Sequence, residues 1–262
     1  MSLTSPSVLR AVGSAGFGPA LDTAFEALTG YDMSCAYLFR PNAPAVLLHN
    51  GYGARVARST LEAYQRGGYL LDPFYVAAMN RHPAGLWRMS ELAPDSFFAS
   101  GFAISPDIHP CVASDHGVDI EEIGYIAYLD DRAAVVFSLM RGLGGGGFSQ
   151  EQVERLAPLA DTLAALFELH LRLDSSALAP SGREEDTFIA LLQRQLTETQ
   201  AVIARLILQG HSSVSIAANL GISEGTVKVH RHNLYQRLNI STHAELFRLF
   251  IDFLTTAEPG PG

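Results

Sequence analysis

The apolar positions change period along the chain, and each change marks an element. Residues 7–29 place Val8, Val12, Leu21, Phe25 and Leu28 at helical spacing, with Gly13, Gly16 and Gly18 positioned to break the helix in two. From Met33 to Arg40 the pattern alternates, with Cys35, Tyr37 and Phe39 on one side. Pro41-Asn42-Ala43-Pro44 turns the chain and residues 45–49 return, so a hairpin is expected. Helices are expected over 56–64, ended by Gly67-Gly68, and over 73–80. Leu86-Trp87-Arg88 has the length of a short strand, and residues 96–99 that of a helical turn. Ile123–Leu129 and Ala133–Met140 flank Asp130-Asp131-Arg132 as the clearest hairpin. The helical stripe then resumes from Gln150 to Leu173, through Val153, Leu156, Leu159, Leu163, Leu166, Phe167 and Leu171. Ser149 and Gln152 are spaced as a capping box, and Pro158 should kink this helix.

Helices flanking a mostly antiparallel sheet of about five strands predict an α+β amino-terminal domain of sensor type over residues 1–173. Residues 174–186 are polar, with Ser, Pro and Gly, and read as a linker. Beyond it, residues 187–256 show only helical pattern and predict a small all-α domain. Its four helices are expected at about 198–208, 213–220, 224–238 and 242–255, the first opened by a Thr197/Gln200 capping box.

Gly210 to Ile240 reads as two short helices joined by a tight turn. Ser213 is placed to cap the first, with Ile216, Ala217 and Leu220 inward. Gly221 follows where positive φ is needed, and Ser223 caps the next helix. That helix turns Val227, Leu234 and Leu238 inward and Lys228, Arg231, His232 and Gln236 outward. A basic outward face on the second helix suits a DNA major groove.

From Leu196 to Phe247 the sequence resembles the LuxR/GerE-type helix-turn-helix. Leu196-Thr197, Gln209-Gly210, Ile216-Ala217, Leu220-Gly221-Ile222-Ser223, Thr226 to His230, Leu238 and Glu245-Leu246 carry the likeness. The resemblance implies a bacterial, cytoplasmic transcription regulator. It places Lys228, Val229 and His232 at base edges; Thr226, Arg231, Asn233 and Arg237 would hold phosphates. The amino-terminal pattern looks like the GAF/PAS-like architecture that precedes many such modules.

Charge adds a constraint. Residues 196–262 contain five basic side chains (Arg205, Lys228, Arg231, Arg237, Arg248) and five acidic ones (Glu198, Glu224, Glu245, Asp252, Glu258), so the whole net charge of −9 falls on residues 1–195. A DNA-binding domain with no net positive charge holds DNA weakly alone, so a homodimer reading an inverted repeat is expected. Apolar residues in the last helix, Leu246 through Leu254, and the 150–173 helix offer dimer seams. Protonation of His211, His230, His232 and His243 near pH 6 is expected to add charge to the small domain.

Lys228 is the only lysine. A phosphate-cradling GxxxxGK loop is therefore absent, and residues 1–195 offer no lysine for a phosphorylated receiver pocket or a Schiff base. Cys35 and Cys111 make no disulfide framework and read as buried thiols. No apolar run reaches membrane-spanning length, and no export signal is expected. No catalytic set, cofactor motif or metal-ligand spacing is present; His109, His116 and Cys111 do not make one, and nothing matches G-x-S-x-G. Gly142 to Gly147 reads as a strand-to-helix connection, and the acids Asp115, Asp119, Glu121 and Glu122 as a solvated run or a site for a cation or a cationic ligand.

The candidate ligand residues are Tyr64, Tyr69, Asp72, Phe74, Tyr75 and Trp87, an aromatic crowd around one carboxylate. Asp72-Pro73 followed by Trp87 resembles the acyl-homoserine-lactone domain of LuxR-type quorum sensors, although Ser59 stands where that family has a second tryptophan. The resemblance implies that Asp72 accepts a hydrogen bond from a ligand amide and that Trp87 packs on the head group. Asp72-Pro73 is equally an ordinary helix start. Two functions stay open: a regulator whose amino-terminal domain senses a small molecule, an acyl-homoserine lactone among the candidates, or one whose amino-terminal domain is a ligand-free dimerisation or interaction module.

Overall fold

The structure is a computed structural model. It describes residues 2–41, 43–93, 104–106, 109–112, 114, 117, 119–130, 133–174, 194–208 and 211–256. The expected turn at 96–99 and the linker at 175–186 lie outside them, as do Asp115 and His116.

Strands β1 (Met33–Arg40), β2 (Ala43–Asn50), β3 (Gly85–Arg88), β4 (Ile120–Tyr128) and β5 (Ala134–Gly142) form one sheet in the order β2-β1-β5-β4-β3. Every neighbouring pair is antiparallel. Two local hairpins are joined where β1 lies against β5, from Met33 opposite Met140 to Phe39 opposite Ala134.

The strand period of two sorts the side chains into two cores. On one face, Ala36 and Leu38 of β1 join Val135, Phe137 and Leu139 of β5. They pack against helices α1 (Pro6–Ala11), α2 (Phe17–Glu26), α6 (Gln150–Leu156) and α7 (Ala160–Leu173). On the other, Met33, Cys35, Tyr37 and Phe39 join Val136 and Met140 beneath α3 (Arg58–Arg66) and α4 (Pro73–Met79). A short α5 (Met89–Leu92) follows β3.

The two expected breaks are present. Between α1 and α2, Gly13 adopts φ +79° and donates its N–H to Nδ1 of His170 at 2.9 Å. A Cβ there would meet Leu173 at 2.7 Å, so the close approach of α7 also requires glycine. At Pro158 the expected single helix is two, because residues 157–159 tighten into a 3₁₀ turn. Proline removes a backbone donor there and displaces the ladder. The Ser149/Gln152 box closes at both bonds, 3.2 and 2.9 Å.

The carboxy-terminal elements are α8 (Glu198–Leu208), α9 (Ser213–Leu220), α10 (Glu224–Arg237) and α11 (His243–Thr256). Thr197 and Gln200 form the expected box at the head of α8. Ile203, Ile216, Val227, Leu234, Leu246 and Phe250 are buried at the centre. On α11, Leu249 is left exposed.

Candidate functional site

In the helical domain, backbone geometry decides the caps. Ser212, not Ser213, caps α9: its backbone is extended and its Oγ accepts from the Ser215 N–H at 3.2 Å, while Ser213 is already helical. Gly221 ends α9 at φ +64°, and the Ile222 N–H reaches back to the Ala217 carbonyl at 3.1 Å. That pair of features is a Schellman-type stop. Ser223 then opens α10, accepting from the Thr226 N–H at 3.0 Å.

Val227 and Leu234 anchor α10 inward, and Thr226, Lys228, Val229, Arg231, His232, Asn233 and Arg237 are all exposed. Val229 is 59% exposed, an apolar side chain that no intramolecular contact shelters. Lys228 Nζ pairs with Glu224 Oε1 at 2.7 Å, one turn earlier. His211 and His243 are held below the ordinary histidine range by burial, which works against the gain of charge expected of them.

In the sheet domain, β1, β4 and β5 roof a small, partly open cavity under α3 and α4. Its lining includes Cys35, Tyr37 and Phe39 of β1, Tyr64 of α3, Phe74 of α4 and Glu122 of β4. Tyr52, Asp72, His109, Cys111 and Ser138 complete its polar wall. Its volume is about 10 Å³, room for about one water molecule.

Asp72 uses both oxygens. Oδ1 caps α4 by accepting from the Phe74 N–H at 2.8 Å, and Oδ2 accepts from the Tyr64 hydroxyl at 2.8 Å. Burial outweighs these bonds and pushes its carboxyl up to about 6. Glu122 is pushed further, to about 8, by burial and then by the nearby charge of Asp72. The Cys111 thiol donates to Glu122 Oε2 at 3.2 Å, and Ser138 also bonds to it. Burial takes His109 the other way, down to about 4. Gly124 opposes Trp87 in the β3–β4 register and leaves the space that the Phe74 ring fills.

Residues 194–250 match the profile of the bacterial regulatory proteins of the luxR family, GerE. An HTH-type transcriptional regulator encoded in the exeN 3' region of Aeromonas salmonicida is 29% identical over 199 residues, 72% of this chain and 97% of the relative. Residues 194–250 form a helix-turn-helix domain of the luxR (GerE) family. Other relatives match over shorter stretches. The nitrate/nitrite response regulator NarP of Escherichia coli is 40% identical over 70 residues, 27% of this chain and 30% of NarP. Among solved structures, the LBD domain of VqsR from Pseudomonas aeruginosa superposes with a TM-score of 0.53 at 20% identity. That match covers 64% of this chain and 93% of VqsR's, and gives the sheet domain its fold relative.

The sheet domain gathers three of the six sequence-predicted ligand residues, Tyr64, Asp72 and Phe74, into its cavity. Tyr69 and Tyr75 are buried but pack edge-to-face on each other, at 4.9 Å between ring centroids, and against Phe39. Trp87 sits on edge strand β3, turned to His82 at 4.3 Å, with Nε1 donating to the Pro83 carbonyl at 2.9 Å. The acid run is split by the strand period. Glu122 faces the cavity, whereas Glu121 faces the opposite side, pairing with Arg88 and accepting from the Phe148 N–H at 2.6 Å. Sequence reading did not single out Glu122, Tyr37, Tyr52 or Cys35 as cavity residues. The alternation of β1 and β4 was the available signal.

Proposed function

We propose that the chain is a transcriptional regulator whose amino-terminal domain holds a small-molecule effector in the β1–β4–β5 cavity, and that occupancy controls DNA binding by α10. The observation that carries this is the cavity itself, walled by aromatic rings and furnished with two buried carboxylates. Burying a carboxylate is costly unless something compensates, and Glu122 has no helix to cap as Asp72 has.

On this reading the sensor spans residues 1–173, a linker runs over 174–186 and the DNA-binding domain over 187–256. Lys228, Val229 and His232 meet base edges; Thr226, Arg231, Asn233 and Arg237 hold phosphates. A homodimer places two copies of α10 on an inverted repeat. Exposed Leu169 and Leu173 on α7, and Leu249 on α11, supply apolar seams for it. An acyl-homoserine lactone is one effector that Asp72 suits. Trp87, its expected second contact, lies outside the lining.

The competing reading, a ligand-free dimerisation module, draws on Asp72. Both of its oxygens are already engaged in capping α4 and bonding Tyr64.

The test is operator binding by the full chain with and without effector. DNA affinity is titrated in the presence of lactones and a metabolite panel, alongside thermal melts. A bound effector at about 100 times its dissociation constant adds roughly 2.7 kcal/mol and raises the melting temperature by several degrees. A compound that does both supports the sensor. Tight operator binding indifferent to every compound, with no change in melting, supports the module.

A further inference from the structure

We propose that Glu224 and Lys228 read a single G·C base pair as one unit, and that Gly225 lets the first turn of α10 down to the floor of the groove. The inference rests on the DNA-binding reading of α10. It adds two residues to that reading, Glu224 and Gly225, and names the base pair they select.

Gly225 is the second residue of α10 and is exposed. A glycine within a helix is less stable than an alanine, because it loses more backbone freedom on folding. Nothing in the fold asks for one here. Unlike Gly221, it does not take a positive φ. Among the described residues a Cβ at this position would meet only Ser223 Oγ, at 3.6 Å, an ordinary contact. At about 100° per residue, Gly225 falls within the arc of Lys228, Val229 and His232, opposite the Val227 and Leu234 anchor. A glycine that the chain does not need for its own packing, set on that face, leaves room for an outside molecule to approach the backbone.

Glu224 is the independent sign. A carboxylate on a DNA-facing turn opposes the phosphates, and an exposed ion pair at this spacing adds little stability. Its Oε1 lies 2.7 Å from Lys228 Nζ, so the two side chains hold an acceptor and a donor side by side. The major-groove edge of a G·C pair holds the complement. Guanine O6 accepts, cytosine N4 donates, and the two are about 2.9 Å apart because they bond each other. The spacings match. The ammonium donates to O6, with N7 in reach of a second of its three N–H groups, and the outward N4–H donates to the carboxylate. Turning the pair round sets the carboxylate against O6 and the ammonium against N4, which repels at both ends. An A·T pair also sets an acceptor beside a donor, but there the thymine methyl crowds O4 and no second acceptor adjoins it. Glu224 thus selects by rejection: it weakens the hold on DNA in general and weakens it most on the wrong pair.

The experiment uses the full chain and a duplex library randomised over about 20 base pairs, two helical turns, from which bound sequences are selected and read. The wild type is expected to enrich a G·C pair at one position. Glu224→Ala and Lys228→Ala should each lose the preference at that same pair, the first while binding mismatched duplexes about tenfold more tightly than the wild type does. On the selected duplex, N4-methylcytosine at that pair blocks the outward N–H. It should weaken the wild type about tenfold and leave Glu224→Ala little changed. Gly225→Ala separates contact from folding. Alanine favours the helix, so this variant should melt slightly higher, yet bind the selected duplex about tenfold more weakly. Preferences lost at two different pairs, an A·T pair enriched there, or a Glu224→Ala selection identical to the wild type's would overturn the shared readout while leaving α10 a DNA-binding helix. Unchanged binding by Gly225→Ala would overturn the close approach. A wild type that binds no duplex even at low salt would overturn the DNA-binding reading itself, and this inference with it.

Discussion

Gly124 is where the cavity's wall is most sharply set by one residue. An ideal Cβ there lies 2.7 Å from Cε1 and Cζ of Phe74 and 3.0 Å from Ser138 Oγ. Comfortable carbon contacts begin near about 3.5 Å, so Gly124→Ala forces the ring to move by nearly an ångström. The ring lines the cavity and is 1% exposed, so it has little room to yield. Overpacking of this kind costs about 1–3 kcal/mol. At roughly 2–4 °C per kcal/mol for a domain of this size, the sensor domain should melt about 2–12 °C lower. Trp87 stands opposite Gly124 across β3 and β4, so its fluorescence reports the affected region directly. The decisive assay is a double-mutant cycle by urea unfolding. In a Phe74→Leu background the ring atoms that clash are gone, and Gly124→Ala should cost little. A coupling of about 1 kcal/mol or more between the two positions is expected. An equal cost in both backgrounds, or none in either, would refute the close-approach account of this glycine.

Glu122 should make the sensor domain less stable as pH rises. Its folded value, about 8, lies above the ordinary glutamate value, so the stability tied to its bound proton is full in acid and lost on approaching pH 8. Buried His109 and His170, both shifted down, oppose this below about pH 6.5, leaving pH 6.5–8 as the clean window. There the slope is at most about 1.4 kcal/mol per pH unit, and Glu122→Gln should flatten it in urea midpoints followed by Trp87 fluorescence. Ser212→Ala should cost the helix-turn-helix about 1 kcal/mol, measured by loss of far-ultraviolet helix signal in urea, whereas Ser213→Ala should cost much less. Lys228→Ala should weaken operator binding by about 1–3 kcal/mol and relax one base preference in a selection assay. Glu224→Ala should strengthen binding, because it frees Lys228 and removes a negative charge near the phosphates.

What could be read from the chain depended on whether one period decided the matter. The β1 set of Cys35, Tyr37 and Phe39 was legible, as was the break at Pro158, whereas β5 is buried on both faces and shows no alternation. The exposed row on α10 was legible because Val227 and Leu234 fix the helix's rotation. Glu122 was not, because Asp119, Glu121 and Glu122 together look like a solvated run. Strand β4 in fact begins at Ile120, and only that register turns one glutamate inward. Trp87 misled for the opposite reason. Aromatic residues close in sequence need not meet in space, and β3 carries this one to the sheet's edge. At Ser212-Ser213 the two side chains are identical, so only the backbone angles could choose the cap.

The single lysine has a practical corollary. Lys228 is solvent-exposed on the face of α10 and is the only side-chain primary amine in the sequence. An amine-directed reagent therefore finds one side-chain target, at the position proposed to face the bases. Its rate of labelling is a built-in occupancy gauge: fast on the free protein, slowed when DNA covers the helix. One acylation there would erase the protein's entire complement of lysine charge.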